Sequence, residues 1–203
     1  MTTHIAYPET PTVVIRADHI IGPTQGQWSA SDSRLFPDDG HRYEILDGVL
    51  YMAPPPTPEH QDVVGLIHYH LTTHVRLTGL GRVYIAPIGV ELAANKVVEP
   101  DIVVILHDNL GIVQPKRIQG VPNLVVEVAS PSTAGYDRRE KQDTYAAAGV
   151  AEYWVVDPAA HTIEVLTLAG NSYTSLGIFE GDTLLPSKVV PGLPVAVKQF
   201  FSV

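Results

Sequence analysis

The chain has 203 residues, of which 45% are hydrophobic and 17% are charged, and it contains no cysteine. This composition is too apolar for an intrinsically disordered protein, and the absence of thiols excludes disulfides, thiolate zinc sites and a cysteine nucleophile. The formal net charge of −9 argues against a protein that coats nucleic acid indiscriminately, because phosphate is repelled unless positive charge is gathered locally or supplied by a metal ion.

The beginning of the chain has neither the basic nor the apolar part of a signal peptide. No run of about 18 apolar residues occurs that could span a membrane. We therefore expect a cytoplasmic protein with no membrane partner. The length favours an N-terminal arm over residues 1–26, which several Pro and Gly residues interrupt, followed by a single domain over residues 27–203.

Two elements are predicted early in the domain. Alternating apolar residues over 42–46 and 49–53 flank Asp47-Gly48, a dipeptide that favours a two-residue hairpin turn. After a run of prolines, apolar residues recur at helical spacing from Glu59 to about Thr78, which predicts the longest helix.

The second half of the chain alternates strand and helix patterns. Continuous β-branched runs predict strands that are covered on both faces, and the helical period returns once between them. Strands are predicted over 83–92, 101–106, 123–129, 152–156, 162–168 and 172–178, and a helix over 137–148. This order predicts an α/β (α+β) fold with a mixed central sheet flanked by helices, an N-terminal hairpin and a C-terminal antiparallel meander.

Two carboxylates interrupt apolar strands. Asp101 begins the run DIVVIL, and Glu127 lies within LVVEV. A lone ionised carboxylate in a core is costly unless it is paired, hydrogen-bonded or bound to a metal. Each acid could simply form a salt bridge with a neighbouring Arg or Lys. Alternatively, adjacent strands could bring both acids to one edge of the sheet, where two oxygen ligands suit a hard cation such as Mg²⁺.

Lys141 follows on the predicted helix. It shares a helical face with Tyr145 and Ala148, so its stem is expected to point toward the sheet. Two acids, a lysine and a metal ion form an arrangement suited to phosphodiester hydrolysis. The pattern alone gives equal weight to a lysine that only neutralises the two acids.

Several segments together resemble a known family. In chain order they are RYEILDGVLYMAPPPTPEH at 42–60, Pro100-Asp101, LVVEVASPST at 124–133, REKQDTYAAAGV at 139–150 and EYWVVDP at 152–158. They are similar to the Uma-two family of predicted restriction endonucleases, and the resemblance covers roughly residues 28 to 200.

The resemblance implies the restriction-endonuclease-like fold of the PD-(D/E)xK superfamily. Asp101 and Glu127 match its two acidic positions, whereas Ala129 stands where the usual lysine would be. Within this family the lysine has moved to the following helix, at the position of Lys141. Glu44 matches an additional acid near the N-terminus of the domain, as an outer metal or water ligand.

The resemblance also implies a catalytic mechanism. Mg²⁺, or Mn²⁺ in its place, would be held by Asp101, Glu127 and the backbone carbonyl of Val128, with Glu44 as a further candidate ligand. A water activated by the metal would attack the phosphorus in line, while Lys141 stabilises the transition state or the water. The implied partner is DNA.

Three further residues are candidates for auxiliary roles. His60 begins the inward face of the long helix and matches a recurrent family position, where it could orient Glu44 or a water; a structural histidine at a helix N-terminus fits equally. Arg138 and Arg139 could contact DNA phosphates, or pair with neighbouring acids on the surface.

These observations favour a metal-dependent endodeoxyribonuclease. The alternatives are a catalytically weak or inactive module of the same fold that binds nucleic acid or protein, and a hydrolase of smaller phosphodiesters. A symmetric homodimer would supply two active sites for two DNA strands. Its interface could be a strand edge of the meander or the apolar residues near the C-terminus, which could equally close the core of one chain. These apolar residues are Val189, Val190, Leu193, Val195, Val197, Phe200 and Phe201.

Overall fold

A computed structural model describes residues 14–129 and 137–201, with side chains in the second range from residue 140 onward. Within these ranges, twelve strands form two six-stranded sheets, here named the hairpin sheet and the central sheet. Both sheets are mixed, because β5 pairs with β8 and β9 with β10 in parallel while the other pairs are antiparallel. The predicted α+β fold class is thereby confirmed.

The strand order is β1-β3-β2-β6-β5-β8 in the hairpin sheet and β12-β11-β10-β9-β7-β4 in the central sheet. The strands of the hairpin sheet are β1 (Ile15–Arg16), β2 (Arg42–Leu46), β3 (Val49–Ala53), β5 (Val90–Ala93), β6 (Lys96–Val98) and β8 (Ile118–Gln119). Those of the central sheet are β4 (Gly81–Ile85), β7 (Ile102–Leu106), β9 (Leu124–Val128), β10 (Glu152–Asp157), β11 (Thr162–Ala169) and β12 (Ser172–Phe179).

Two α-helices cover the central sheet. Helix α1 (Pro58–Leu71) begins after Thr57, whose side chain accepts a hydrogen bond from the His60 amide, and it continues as a wide π-type turn over Thr72–Arg76. Helix α2 (Asp137–Ala148) connects the parallel strands β9 and β10. Neither of these helices in the described ranges is long and apolar enough to cross a membrane.

The central strands are buried on both faces, as their continuous apolar runs predict. Along β7, Ile102 and Val104 pack in the cluster that also contains Ile67 and Leu71 of α1. Val103, between them, packs in the opposite cluster, which includes the α2 residue Tyr145. The two helices therefore approach the same strands from opposite sides.

The hairpin of β2 and β3 has the predicted boundaries. Asp47 and Gly48 have φ values of 49° and 78°, the left-handed conformations that a type I′ turn requires. A Cβ at Gly48 would also lie 2.4 Å from the Gly26 carbonyl oxygen, so glycine is required there for space as well as for conformation.

The prediction of a single strand over residues 83–92 is wrong. The structure divides this segment into β4 and β5, which belong to different sheets. Between them, the Ala86 amide donates to the Asp101 carbonyl, and Pro87 has no N–H with which to continue a ladder. The break carries the chain from one sheet to the other close to Asp101.

The apolar residues near the C-terminus pack inside the chain itself. Val189, Val190, Leu193, Val195, Val197 and Phe200 are buried in the same cluster as α1, and Phe201 packs against it. The proposal that they form a dimer interface is therefore wrong, since their surface is already used by the core of one chain.

Near the N-terminus, β1 pairs with β3, so the described part of the predicted arm joins the hairpin sheet.

The buried carboxylate of Glu152 anchors the segment before these residues. Its two oxygens accept hydrogen bonds from Trp154 Nε1 at 2.7 Å, Ser187 Oγ at 2.6 Å and the amides of Lys188 and Val189 at 2.7 and 3.1 Å. Four donors satisfy a carboxylate that is fully removed from solvent. Glu152 thus ties the C-terminal segment to the first strand of the meander.

We predict that Glu152→Gln lowers the free energy of unfolding by about 3 kcal/mol, because the new NH₂ group faces donors and leaves them unsatisfied. Urea denaturation followed by tryptophan fluorescence measures the loss. Glu180→Gln, at an exposed position, is the control and should change stability by less than about 0.5 kcal/mol. Equal stability of the two variants would contradict the anchoring role.

Candidate active site

The two predicted acids lie at one end of the central sheet. Asp101 directly precedes β7, and Glu127 is the penultimate residue of β9. The register pairs Ile102 with Val126, which places Asp101 opposite Glu127 on the neighbouring antiparallel strand. The structure therefore brings the acids together at the edge where β2, α1 and α2 also converge.

Asp101 is buried and accepts three hydrogen bonds. Arg42 Nη1 donates to Oδ1 at 2.9 Å, and His60 Nε2 and the Val128 amide contact Oδ2 at 3.0 and 2.9 Å. Burial alone would raise the pKa of Asp101, but the His60 hydrogen bond, the Arg42 charge and the Val128 amide together hold the pKa well below its usual range. Asp101 is therefore a carboxylate fixed in its ionised form.

Glu127 is held by two residues of helix α2. Lys141 Nζ donates to Glu127 Oε1 at 3.1 Å, and Tyr145 Oη donates to the same oxygen at 2.6 Å. Burial and the negative charge of Glu127 raise the pKa of Tyr145 well above its ordinary value, so the hydroxyl keeps the proton that it donates. Lys141 and Tyr145 are four residues apart and present one helical face to the acid.

Lys141 also reaches the hairpin sheet. Its Nζ lies 3.1 Å from Glu44 Oε2, and the other Glu44 oxygen accepts the Glu99 amide at 2.8 Å. Only 7% of Lys141 is exposed, so its inward orientation is as the helical periodicity predicts. One ammonium group thus bridges an acid of each sheet.

The described cluster contains more carboxyl groups than Arg and Lys side chains. Glu44, Asp101 and Glu127 supply three carboxyl groups, whereas Arg42 and Lys141 are the two basic side chains that pair with them. Burial, followed by the charges of Asp101 and Glu44, raises the pKa of Glu127 to about 8 despite the nearby Lys141. The salt bridges expected as the alternative to a metal ion are therefore present. They do not fully offset the cost of ionising the buried carboxyl group of Glu127.

One predicted role of His60 is to orient Glu44. This prediction is wrong, because His60 contacts Asp101 instead. Its position in the first turn of α1, on the inward face, points it at the acid nearest that helix. Val128 contributes its amide to Asp101. The side chains of Arg138 and Arg139 lie outside the described residues.

Sequence reasoning missed the roles of Arg42 and Tyr145. Arg42 is two residues from Glu44 on β2, so strand alternation places both on one face, and this spacing could have indicated a paired site. The helical periodicity places Tyr145 on the inward face of α2 but does not identify the partner of its hydroxyl. Its hydroxyl needs a polar partner when buried, which could have suggested Glu127.

The oxygen donors of this cluster fit a hard divalent cation. In the part of the chain that the structure describes, no three His, Asp or Glu side chains are grouped as a complete metal site. Mg²⁺, however, commonly uses one or two carboxylates and completes its shell with water and substrate phosphate. A bound cation would favour the ionised form of Glu127, whose pKa burial raises.

Comparisons with known proteins found a matching family and a similar solved structure. The family model Uma2, described as "Putative restriction endonuclease", matches residues 30–198. No curated protein matches the sequence. The chain is similar to the crystal structure of "a putative nuclease belonging to DUF820" from Anabaena variabilis ATCC 29413, with a TM-score of 0.71 and 17% identity over 85% of this chain and 97% of that one.

At this identity the structural likeness shows a shared fold. The resemblance to the Uma-two family is confirmed, since the family model covers most of the sequence, including every candidate site residue. The chain belongs to the Uma2 family.

Proposed function

We propose that the protein is a metal-dependent endodeoxyribonuclease that hydrolyses DNA phosphodiester bonds. The observation that supports this best is the buried cluster in which one lysine, Lys141, lies between two acids while Glu127 remains incompletely compensated. A structural salt bridge needs only matched charges. An acid surplus beside a fixed lysine is instead suited to binding a cation and a phosphate together.

Asp101, Glu127 and the backbone carbonyl of Val128 would hold Mg²⁺, or Mn²⁺ in its place. When bound, the ion supplies a Lewis acid for the phosphate and activates water for attack. Glu44, which is already bound by Lys141 and the Glu99 amide, is suited to an outer position where it would orient a water.

The protein side chains prepare this site before substrate arrives. Arg42 and His60 hold Asp101 ionised and fix both of its oxygens. Tyr145 fixes the rotamer of Glu127 through its hydroxyl. Lys141 keeps a positive charge beside the acids, where it would stabilise the negative charge that develops on the phosphate.

Two copies acting together would allow both DNA strands to be cut, and we include a homodimer in this proposal. With the C-terminal apolar residues inside the core, the remaining predicted contact is a strand edge of the meander. In the described central sheet this edge is β12.

We predict that Lys141→Ala lowers the rate of plasmid cleavage in Mg²⁺ by at least about 100-fold, because a fixed donor to the transition state is lost. Supercoiled plasmid, single-stranded DNA and branched DNA serve as substrates. Lys198→Ala, which removes an exposed lysine paired with Asp182, is the matched control and should leave the rate unchanged. Full activity of Lys141→Ala would contradict the proposed site, and binding without cleavage by the wild type would favour the inactive module.

Metal binding has its own readout in thermal stability. Mg²⁺ or Mn²⁺ should raise the Tm of the wild-type protein, because an ion that binds only the folded state stabilises it. Glu127→Gln should remove this response, while its stability in chelator should equal or exceed that of the wild type because charge repulsion is relieved. Glu180→Gln should retain the response. A strong loss of stability in metal-free Glu127→Gln would indicate that the acid serves only as a structural ion-pair partner.

The free energy of unfolding in chelator should also depend on the protonation of Glu127. Between pH 4.5 and about 8, folded Glu127 retains a proton that the unfolded chain releases, so its contribution to stability falls as the pH rises. Asp101 acts in a separate range, since its lowered pKa removes stability only as the pH falls below about 3.8. Urea denaturation of the wild type and Glu127→Gln across this range measures the effect; a constant difference between them would contradict it.

A further inference from the structure

A cavity of about 360 Å³ lies beside the acid cluster on the side of α1. Asp101, Arg42 and His60 contribute to its lining, so it adjoins the site at which the scissile phosphate is proposed to bind. Ile85, which is 37% exposed, also lines it, and the cavity therefore reaches the surface. None of the proposed catalytic steps uses this space.

The cavity is lined by both apolar and polar side chains. Pro37, Pro56 and Pro87 supply rigid apolar surfaces, while Gln61 and Glu99 supply an amide and a carboxyl group. Specific small-molecule sites typically combine a largely apolar wall with a few placed donors and acceptors. A planar ring with a polar edge matches this combination.

Among the described residues, three side chains that line the cavity contain a buried nitrogen without a hydrogen-bond partner. These atoms are His41 Nδ1, which lies 3.1 Å from Asp39 Oδ1, and Arg42 Nε and His60 Nδ1, whose side chains bind Asp101 through Nη1 and Nε2. Buried nitrogens of this kind are uncommon and costly. These nitrogens are closed to solvent, so they lie behind the surface that a ligand in the cavity would touch.

The charges of the cavity argue against an isolated phosphate as its occupant. Asp38, Glu99 and Asp101 line it together with one permanent cation, Arg42. A phosphate dianion would be repelled by this set, whereas a neutral ring that offers amino donors to carboxylate acceptors would not.

We propose that this cavity binds one unstacked nucleobase of the DNA substrate, next to the scissile phosphate. The inference rests on the proposed nuclease function and extends it: the preferred substrate has an unpaired base at the cut, either in single-stranded DNA or turned out of a duplex. The aromatic face of the base packs against the proline-lined wall, and its polar edge meets Gln61 and Glu99.

The test places 2-aminopurine, a base analogue whose fluorescence rises on unstacking, at successive positions of a DNA oligonucleotide. The Glu127→Gln protein is used, so that binding is observed without cleavage. We expect enhanced fluorescence when the analogue occupies one position flanking the bond that the wild type cuts. Replacing that nucleotide by an abasic one should weaken binding about tenfold, as the loss of one base contact does.

Ile85→Trp, introduced into the same background, fills the cavity entrance and should abolish the enhancement. The matched control is Leu77→Trp, just beyond the π-type turn that continues α1, where Leu77 is 75% exposed and does not line the cavity; it should behave like its parent. No enhancement at any position, or enhancement that survives Ile85→Trp, overturns the nucleobase site. Cleavage of the unmodified oligonucleotide by the wild type reports separately on the nuclease function, so the two proposals can fail independently.

Discussion

The contacts of Lys141 with Glu44 and Glu127 hold the site together. Through them a single ammonium group connects helix α2 to one acid in each of the two sheets. Arg42 repeats this connection, since it extends from the hairpin sheet to Asp101 at the end of the central sheet. The junction between the sheets is therefore built from buried charged groups. Excluding water from it is favourable only when each of these groups is paired with an opposite charge.

Such a junction has a cost for the metal-free protein. Burial first, and then the charges of Asp101 and Glu44, raise the pKa of Glu127, so ionising this third acid in the same small volume is unfavourable. Natural structures tolerate local destabilisation of this kind where function requires it. The stabilising contacts lie elsewhere, in the two-sided apolar packing of β7 and β9 and in the four donors that surround Glu152.

Features determined by neighbouring residues could be predicted from the sequence. The Asp47-Gly48 turn fixes its own hairpin, and the period of α2 fixes the inward direction of Lys141. Contacts between distant segments could not be predicted in this way. Arg42 and Asp101 are 59 residues apart, and nothing in either local pattern names the other as its partner. The division of residues 83–92 between two sheets escaped prediction for the same reason, since apolar alternation does not show which sheet a strand joins.

The location of Lys141 on a helix gives the site an unusual sensitivity to chain length. In a strand, an insertion or deletion of two residues leaves a side chain on the same face of the sheet. In a helix, each residue turns the chain by about 100°, so a side chain returns to the same face only after three or four residues. Helix α2 is fixed at its far end, where the Gly149 amide binds the Tyr145 carbonyl and Val150 begins the return to the sheet. An insertion or deletion of one residue between Lys141 and Gly149 would therefore swing the ammonium group away from both acids while leaving every strand in place. Substitutions, and length changes of whole helical turns, are the changes in this segment that would keep Lys141 facing both acids.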